Sequence, residues 1–240
     1  MSVAADIGLE YQLNIVKKYL ISGDILYLPL EYGTLAKTAQ EAMAGKEIPY
    51  IVSYDRNYIF SMDINHLTHA LFYFDVQYLL SGIGEMLLDG VGIKRRFSID
   101  TITVQGDEST HTTLKGKQYQ SYLKNYQWLP PSYQDFDENS HTAKILSLFM
   151  KWAKQNKITV IGGLPTTFDT KKIPKKLIDK LKNYYEKHGH HFLLLDNRSQ
   201  YSIDKFYDTP YHLCEEYQIQ HSVSVSRNLK INEFYKYDVR

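Results

Sequence analysis

Apolar positions in this chain recur with two periods, one helical and one extended. From Leu9 to Leu20, the residues Leu9, Leu13, Val16 and Leu20 fall on one helical stripe, and Gly23 follows as a stop signal. The apolar run Asp24–Leu30 then reads as a buried strand. Helix, tight turn and apolar strand make the αβ half of a parallel βαβ unit. The pattern returns twice. His141–Gln155 reads as a helix before the strand Ile158–Leu164, which stops at Pro165. Ile173–His188 reads as a helix with Pro174 in its first turn and Gly189 as its terminator, before the strand His191–Leu195. A last helix is predicted from about Leu213 to Leu229.

The stretch 34–140 separates the first unit from the second and reads as a large insertion in a single α/β domain spanning 1–240. Within it, Asp63–Leu80 is predicted as a helix carrying His66 and His69. Gly82–Arg96 is punctuated by glycine and contains the basic knot Lys94, Arg95 and Arg96. Tyr119–Phe136, with its Pro130-Pro131 pair, reads as an irregular surface loop.

Composition narrows the partners more than the chemistry. The chain carries 28 Lys and Arg against 27 Asp and Glu, a net charge of +1, so no nucleic-acid partner is expected. The single cysteine, Cys214, excludes an intrachain disulfide and a Cys-cluster metal site. No apolar run approaches membrane-spanning length and no secretory signal leads the chain, so no membrane span and a cytoplasmic location are expected. Gly162-Gly163 runs into Leu164-Pro165 and opens no phosphate-binding loop, and no cofactor is expected. The 21 tyrosines read as amphipathic packing at the core margin, with a sugar-stacking surface as the alternative.

The richest chemistry lies in Phe206-Tyr-Asp-Thr-Pro-Tyr-His-Leu213. Pro210 fixes φ, and Asp208 stands close enough to set the tautomer of His212, which makes His212 a candidate general base. The competing reading has Asp208 or Thr209 capping the last helix and His212 packed at its start. Elsewhere the structural readings lead. His188, His190 and His191 lack a carboxylate at ligand spacing, and His66 and His69 lack a His-Glu-x-x-His pattern, so no metal is expected. His66 and His69 read instead as part of a partly exposed polar face. Arg95 and Arg96 read as a solvated turn rather than an anion grip. Cys214 reads as buried, with a substitute nucleophile as its sharper alternative.

The segment Phe206–Leu213 resembles the C-terminal signature of SGNH (GDSL-type) ester hydrolases, in the branch found with bacterial surface-polysaccharide genes. Ile7-Gly-Leu-Glu-Tyr11, Gly23-Asp-Ile-Leu-Tyr-Leu-Pro-Leu-Glu-Tyr32 and Leu164-Pro165 are similar to that branch as well. The resemblance implies a flavodoxin-like three-layer α/β/α sandwich with a parallel sheet, and a Ser nucleophile, His212 as base and Asp208 as orienter. Its implied substrate is an O-acylated carbohydrate. It places Gly8 at the glycine whose amide donates to the oxyanion, and the oxyanion Asn near Glu31 or Tyr32. A carboxylate there repels a developing oxyanion.

The family's nucleophilic Ser ends a strand ahead of the helix that begins near Gly8. That first strand-helix-strand portion has no counterpart in Met1–Ile7, and Gly106-Asp-Glu-Ser109 lies mid-chain at the wrong spacing. The expectation is an ester hydrolase or acyl-transfer relative whose serine is lost or supplied in trans, from a truncated frame, a degenerate copy or half of an assembly. Without the missing strands Asp24–Leu30 becomes an apolar edge, which a homo- or hetero-oligomeric partner would cover. The alternative is a non-catalytic binding or assembly protein of a polysaccharide pathway, with Tyr119–Phe136 as its contact surface. A metal-dependent enzyme using the His cluster is the third reading.

Overall fold

The computed structural model describes residues 8–43, 55–72, 110–125 and 136–231, together with residues 48 and 51. The architecture is α/β, mixed helix and strand with small parallel sheets. The chain divides into two compact units, one drawn from 8–21, 37–72 and 137–149 and the other from 22–36, 110–136 and 150–231.

The first unit is helical. It contains α1 (Leu9–Lys17), the short α3 (Ala39–Ala42), a 3-10 turn at Arg56–Ser61 and α4 (Ile64–Phe72). Its core gathers Tyr11, Ile51, Tyr58 and Met62, with Ile15, Ile48, Ile59 and Leu67 packed against them. The predicted stripe of α1 is only partly the buried one. Tyr11 and Leu13 are the residues buried, because Tyr11 sets its ring edge-on to Tyr58 at 4.6 Å and gives its hydroxyl to Asp55 at 3.3 Å. Of the helix expected over Asp63–Leu80, Ile64–Phe72 is present and the remainder lies outside the described residues, as do Gly82–Arg96 and Gly106–Ser109.

The second unit holds the sheet. Strands β1 (Ile25–Pro29), β2 (Thr159–Gly163) and β4 (His191–Leu193) run parallel in the order β1-β2-β4, with Pro29 opposite Gly163 and Ile161 opposite His191. A second pair, β3 (Thr167–Phe168) and β5 (Gln200–Tyr201), is also parallel. Around them lie α2 (Tyr32–Ala36), α5 (Thr113–Gly116), a 3-10 turn at Lys117–Tyr119, α6 (Gln120–Asn125), α8 (Lys175–Lys187), a 3-10 turn at Ile203–Lys205 and α9 (Glu215–Ile231). Between β1 and β2 in sequence, α7 (His141–Gln155) has the predicted bounds. Tyr119–Phe136 is a correction: residues 120–125 are helical, not loop, with Leu123 buried, while 126–135 lie outside the described residues.

Helices cover both faces of this sheet. On one face Ile25, Tyr27, Ile161 and Leu193 pack with Val225 and Leu229 of α9. On the other, the ring of Tyr185 from α8 crosses the strand at Gly162 and its hydroxyl donates to Leu28 O at 3.2 Å. Tyr27 lies over Gly163 in the same way on the α9 face, so a Cβ at either glycine would meet a tyrosine ring. The glycine pair at the end of β2 answers to packing. Among the described residues, β1 is paired on one side only.

One histidine knits the sheet internally. Ile161 faces His191, so the register sets His190 beside Val160, where β4 has not yet begun. The imidazole takes over the pairing: Nδ1 accepts from Val160 N–H at 3.2 Å, which leaves the proton on Nε2 to donate to Met150 O at 2.8 Å. Burial pushes its pKa down, against the opposing pull of the Met150 carbonyl.

Candidate active site

The segment after β5 is closed on itself like a clasp. Phe206 and Leu213 form an antiparallel bridge, Tyr207 N–H donates to His212 O at 2.7 Å, and Cys214 N–H donates to Lys205 O at 2.9 Å. Phe206 and Leu213 are buried with Leu123 and Phe168, the two phenylalanine rings meeting edge-on at 4.8 Å. From α6, Gln120 Nε2 donates to Phe206 O at 3.1 Å. Both ends of the clasp are therefore anchored in apolar packing, and its polar tip is left to project.

At the tip, His212 N–H donates to Thr209 O at 3.3 Å, with Pro210 at the second position of that turn, where its fixed φ is favoured. Thr166, just past the carboxyl end of β2, donates its hydroxyl to Tyr211 O at 2.8 Å. The turn is thereby held to the carboxyl end of a parallel sheet, the end at which open α/β sheets bind their ligands.

This backbone brings Asp208 and His212 together. His212 Nδ1 lies 2.9 Å from Asp208 Oδ1, with the side chains 44% and 33% exposed. Burial pushes the Asp208 carboxyl up, but the hydrogen bond from His212 and the charges of His212 and His111 outweigh it, so the net displacement is downward. Asp208 is a carboxylate that accepts, so Nδ1 carries a proton, and Nε2 is the nitrogen that presents a lone pair whenever the ring is neutral. Among the described residues Nε2 has no hydrogen-bond partner. The competing reading, in which His212 packs at the helix start, is not what the fold does. His212 is exposed, α9 begins only at Glu215, and Asp208 turns to the imidazole.

Two residues that the pattern of the chain did not single out join this site. His111 stacks on Tyr207 with ring centroids 4.2 Å apart and planes at 17°, and its ring lies 5.4 Å from that of His212. Thr166 is the other. A His and a Thr in polar connecting segments carry no periodic or motif signal; only their long-range partners reveal them.

The remaining sequence candidates divide. Glu31 and Tyr32 follow β1, whose end pairs with the end of β2, and Tyr32 is buried as the first residue of α2. Gly8 caps the start of α1 with φ 75° and belongs to the first unit, whereas Asp208, His212, Glu31 and Tyr32 belong to the second. Cys214 is 1% exposed, and burial pushes its thiol up, so it is no thiolate nucleophile.

His188 gives its Nδ1–H to Tyr184 O at 2.7 Å, His190 is spent on the sheet, and His191 is exposed. Among the described residues no group of three His, Cys, Asp or Glu is arranged to hold a metal ion. His66 corrects its reading as part of a partly exposed polar face: it is 3% exposed and lies 2.7 Å from Glu10 Oε2. Among the described residues no helix is long and apolar enough to cross a membrane. No family model matches the chain, and neither a curated protein nor a solved structure shows significant similarity to it.

Proposed function

We propose that the second unit carries the base half of an SGNH-like site for ester hydrolysis or acyl transfer, with His212 as general base and Asp208 as its orienter. The observation that carries this reading is the 2.9 Å Asp208–His212 hydrogen bond on a turn clasped to the carboxyl end of a parallel sheet. Helices on both faces of that sheet support a three-layer α/β/α sandwich as its architecture.

In this chemistry His212 Nε2 removes the proton of the attacking alcohol or water as its oxygen bonds to the acyl carbon. The same proton passes to the leaving oxygen as the ester C–O bond breaks. The attacking group comes from outside the described residues or from a second chain. The resemblance of Phe206–Leu213 to polysaccharide-associated ester hydrolases supports an O-acylated carbohydrate as substrate class.

Hydrolysis of p-nitrophenyl acetate by the purified chain, compared with His212→Ala, tests the reading. A positioned base supplies about a hundredfold or more, and that contribution should vanish in the variant. Equal rates in the two proteins would remove His212 from the chemistry. One observation favours the second reading, a non-catalytic assembly partner: the apolar strand Ile25–Pro29 is paired on one side only among the described residues. That reading expects a concentration-dependent oligomer on size-exclusion chromatography together with no esterase activity.

A further inference from the structure

We propose that the groove between α9 and β1 is a binding site for a small amphipathic carboxylate, an apolar ring or chain that ends in one negative charge. The groove encloses about 320 Å³, at the lower end of the range usual for small-molecule sites. Residues four apart stack along a helix, so His221, Val225 and Leu229 form one stripe of α9, and Ser222, Ser226 and Lys230 form the next. The first stripe turns to the sheet, where Val225 and Leu229 pack in one cluster with Tyr27 of β1. The second stripe is exposed, and its serines are too small to fill the space beside Tyr27.

The polar groups along this groove are uncommitted. A serine inside a helix commonly returns its hydroxyl to the carbonyl four residues back, and Ser224 does so, to Gln220 O at 2.9 Å. Ser222 and Ser226, on the groove side of the same helix, make no such bond among the described residues. His221 places Nδ1 2.9 Å from the Tyr201 hydroxyl, which leaves Nε2 for a ligand. Burial lowers its pKa, so the ring is neutral and Lys230 is the cation of the groove. Among the described residues no carboxylate lines it.

This set of groups selects the ligand. Tyr27, Val225 and Leu229 take an apolar body, the Lys230 ammonium takes one negative charge, and the two hydroxyls donate to its oxygens. A phosphate dianion suits the groove less. Lys230 is the next-to-last residue of α9, so the negative end of the helix dipole opposes a second negative charge there, and no guanidinium fork lines the groove.

Titration of the full chain with 3-phenylpropionate, 3-phenylpropan-1-ol and phenyl phosphate, read by ligand-observed NMR, tests the site. The carboxylate should bind saturably. The alcohol, with the same body and no charge, should bind about threefold to tenfold more weakly, as should phenyl phosphate. Lys230→Gln should weaken the carboxylate by a similar factor and leave the alcohol unchanged. Ser226→Leu fills the groove and should abolish both. Lys182→Gln, which removes the same charge from α8, should change neither.

Equal binding of carboxylate and alcohol, or a Lys230→Gln chain that holds the carboxylate as the parent does, overturns the charge recognition. Tighter binding of phenyl phosphate overturns the carboxylate class, and saturable binding that survives in Ser226→Leu puts the ligand elsewhere. No saturable binding by any probe removes the site. If circular dichroism shows Ser226→Leu unfolded, the Lys230→Gln comparison still decides. None of these readouts passes through His212, so this site and the base reading stand or fall separately.

Discussion

The hydroxyl of Thr166 donates to the carbonyl of Tyr211 at 2.8 Å and so ties the end of β2 to the turn that carries His212. A single net hydrogen bond of this kind stabilises by about 1 kcal/mol. Thr166→Val should lower stability by about that much and lower reactivity further by freeing the tip of the clasp. Thr166→Ser should retain both. Thermal melts beside p-nitrophenyl acetate rates separate the two effects; a valine variant with full reactivity would show that the tie does not position the base.

Asp208→Asn keeps the shape of the dyad and removes the acceptor charge, so His212 can present the wrong nitrogen to the substrate. Reactivity should fall at least about tenfold at neutral pH, with the melting temperature little changed. The pH dependence has a definite sign. Because the folded-state pKa of Asp208 is lowered, its contribution is present above the ordinary carboxylate value and is lost as pH falls through the folded value. A stability profile in which Asp208→Asn declines on acidification as steeply as the parent chain would contradict this.

At Gly163 an added methyl would run into the phenol of Tyr27, whose ring crosses the strand end. Gly163→Ala should cost about 1–3 kcal/mol by overpacking, and Tyr27→Ala in the same chain should recover part of that cost. Urea unfolding of the two single variants and the double variant measures the coupling. Strict additivity would mean that the two residues do not meet.

Burial lowers the pKa of His190 and of His221, so each is favoured neutral in the fold. For a histidine lowered in this sense, stability is complete above the unfolded value of 6.5 and declines as pH falls from there toward the folded value. A protonated His190 also loses the lone pair that accepts from Val160. Melting temperature should therefore drop on acidification below about 6.5. His190→Gln should flatten that drop while lowering stability at neutral pH.

Cys214 should resist Ellman's reagent in the native chain and react with one equivalent after denaturation. Its sulfur is packed beside Gly116, and burial disfavours the thiolate. Rapid native labelling would bring back the substitute-nucleophile reading.

Much of the α/β pattern was legible where its elements are strongly periodic. His141–Gln155 matches its predicted bounds, and the three strands of the larger sheet fall within a residue or two of theirs, since apolar runs bounded by glycine and proline signal a buried parallel sheet; β3 and β5 were not predicted. Tyr119–Phe136 misled. The Pro130-Pro131 pair suggested loop throughout, yet Leu123 packs with Phe206 and draws 120–125 into a helix. His66 misled for the same reason. Its helical position was legible, but the Glu10 carboxylate that makes its burial tolerable lies 56 residues away in sequence.

The chain by itself determined the order of helix and strand and the local proximity of Asp208 to His212, because both follow from spacing, turn residues and side-chain period. Tertiary structure alone decided that β1, β2 and β4 are neighbours, that Thr166 holds the turn to the sheet, and that His111 stands beside His212. Those relationships join residues 30 or more positions apart, and no local period encodes a contact at that range.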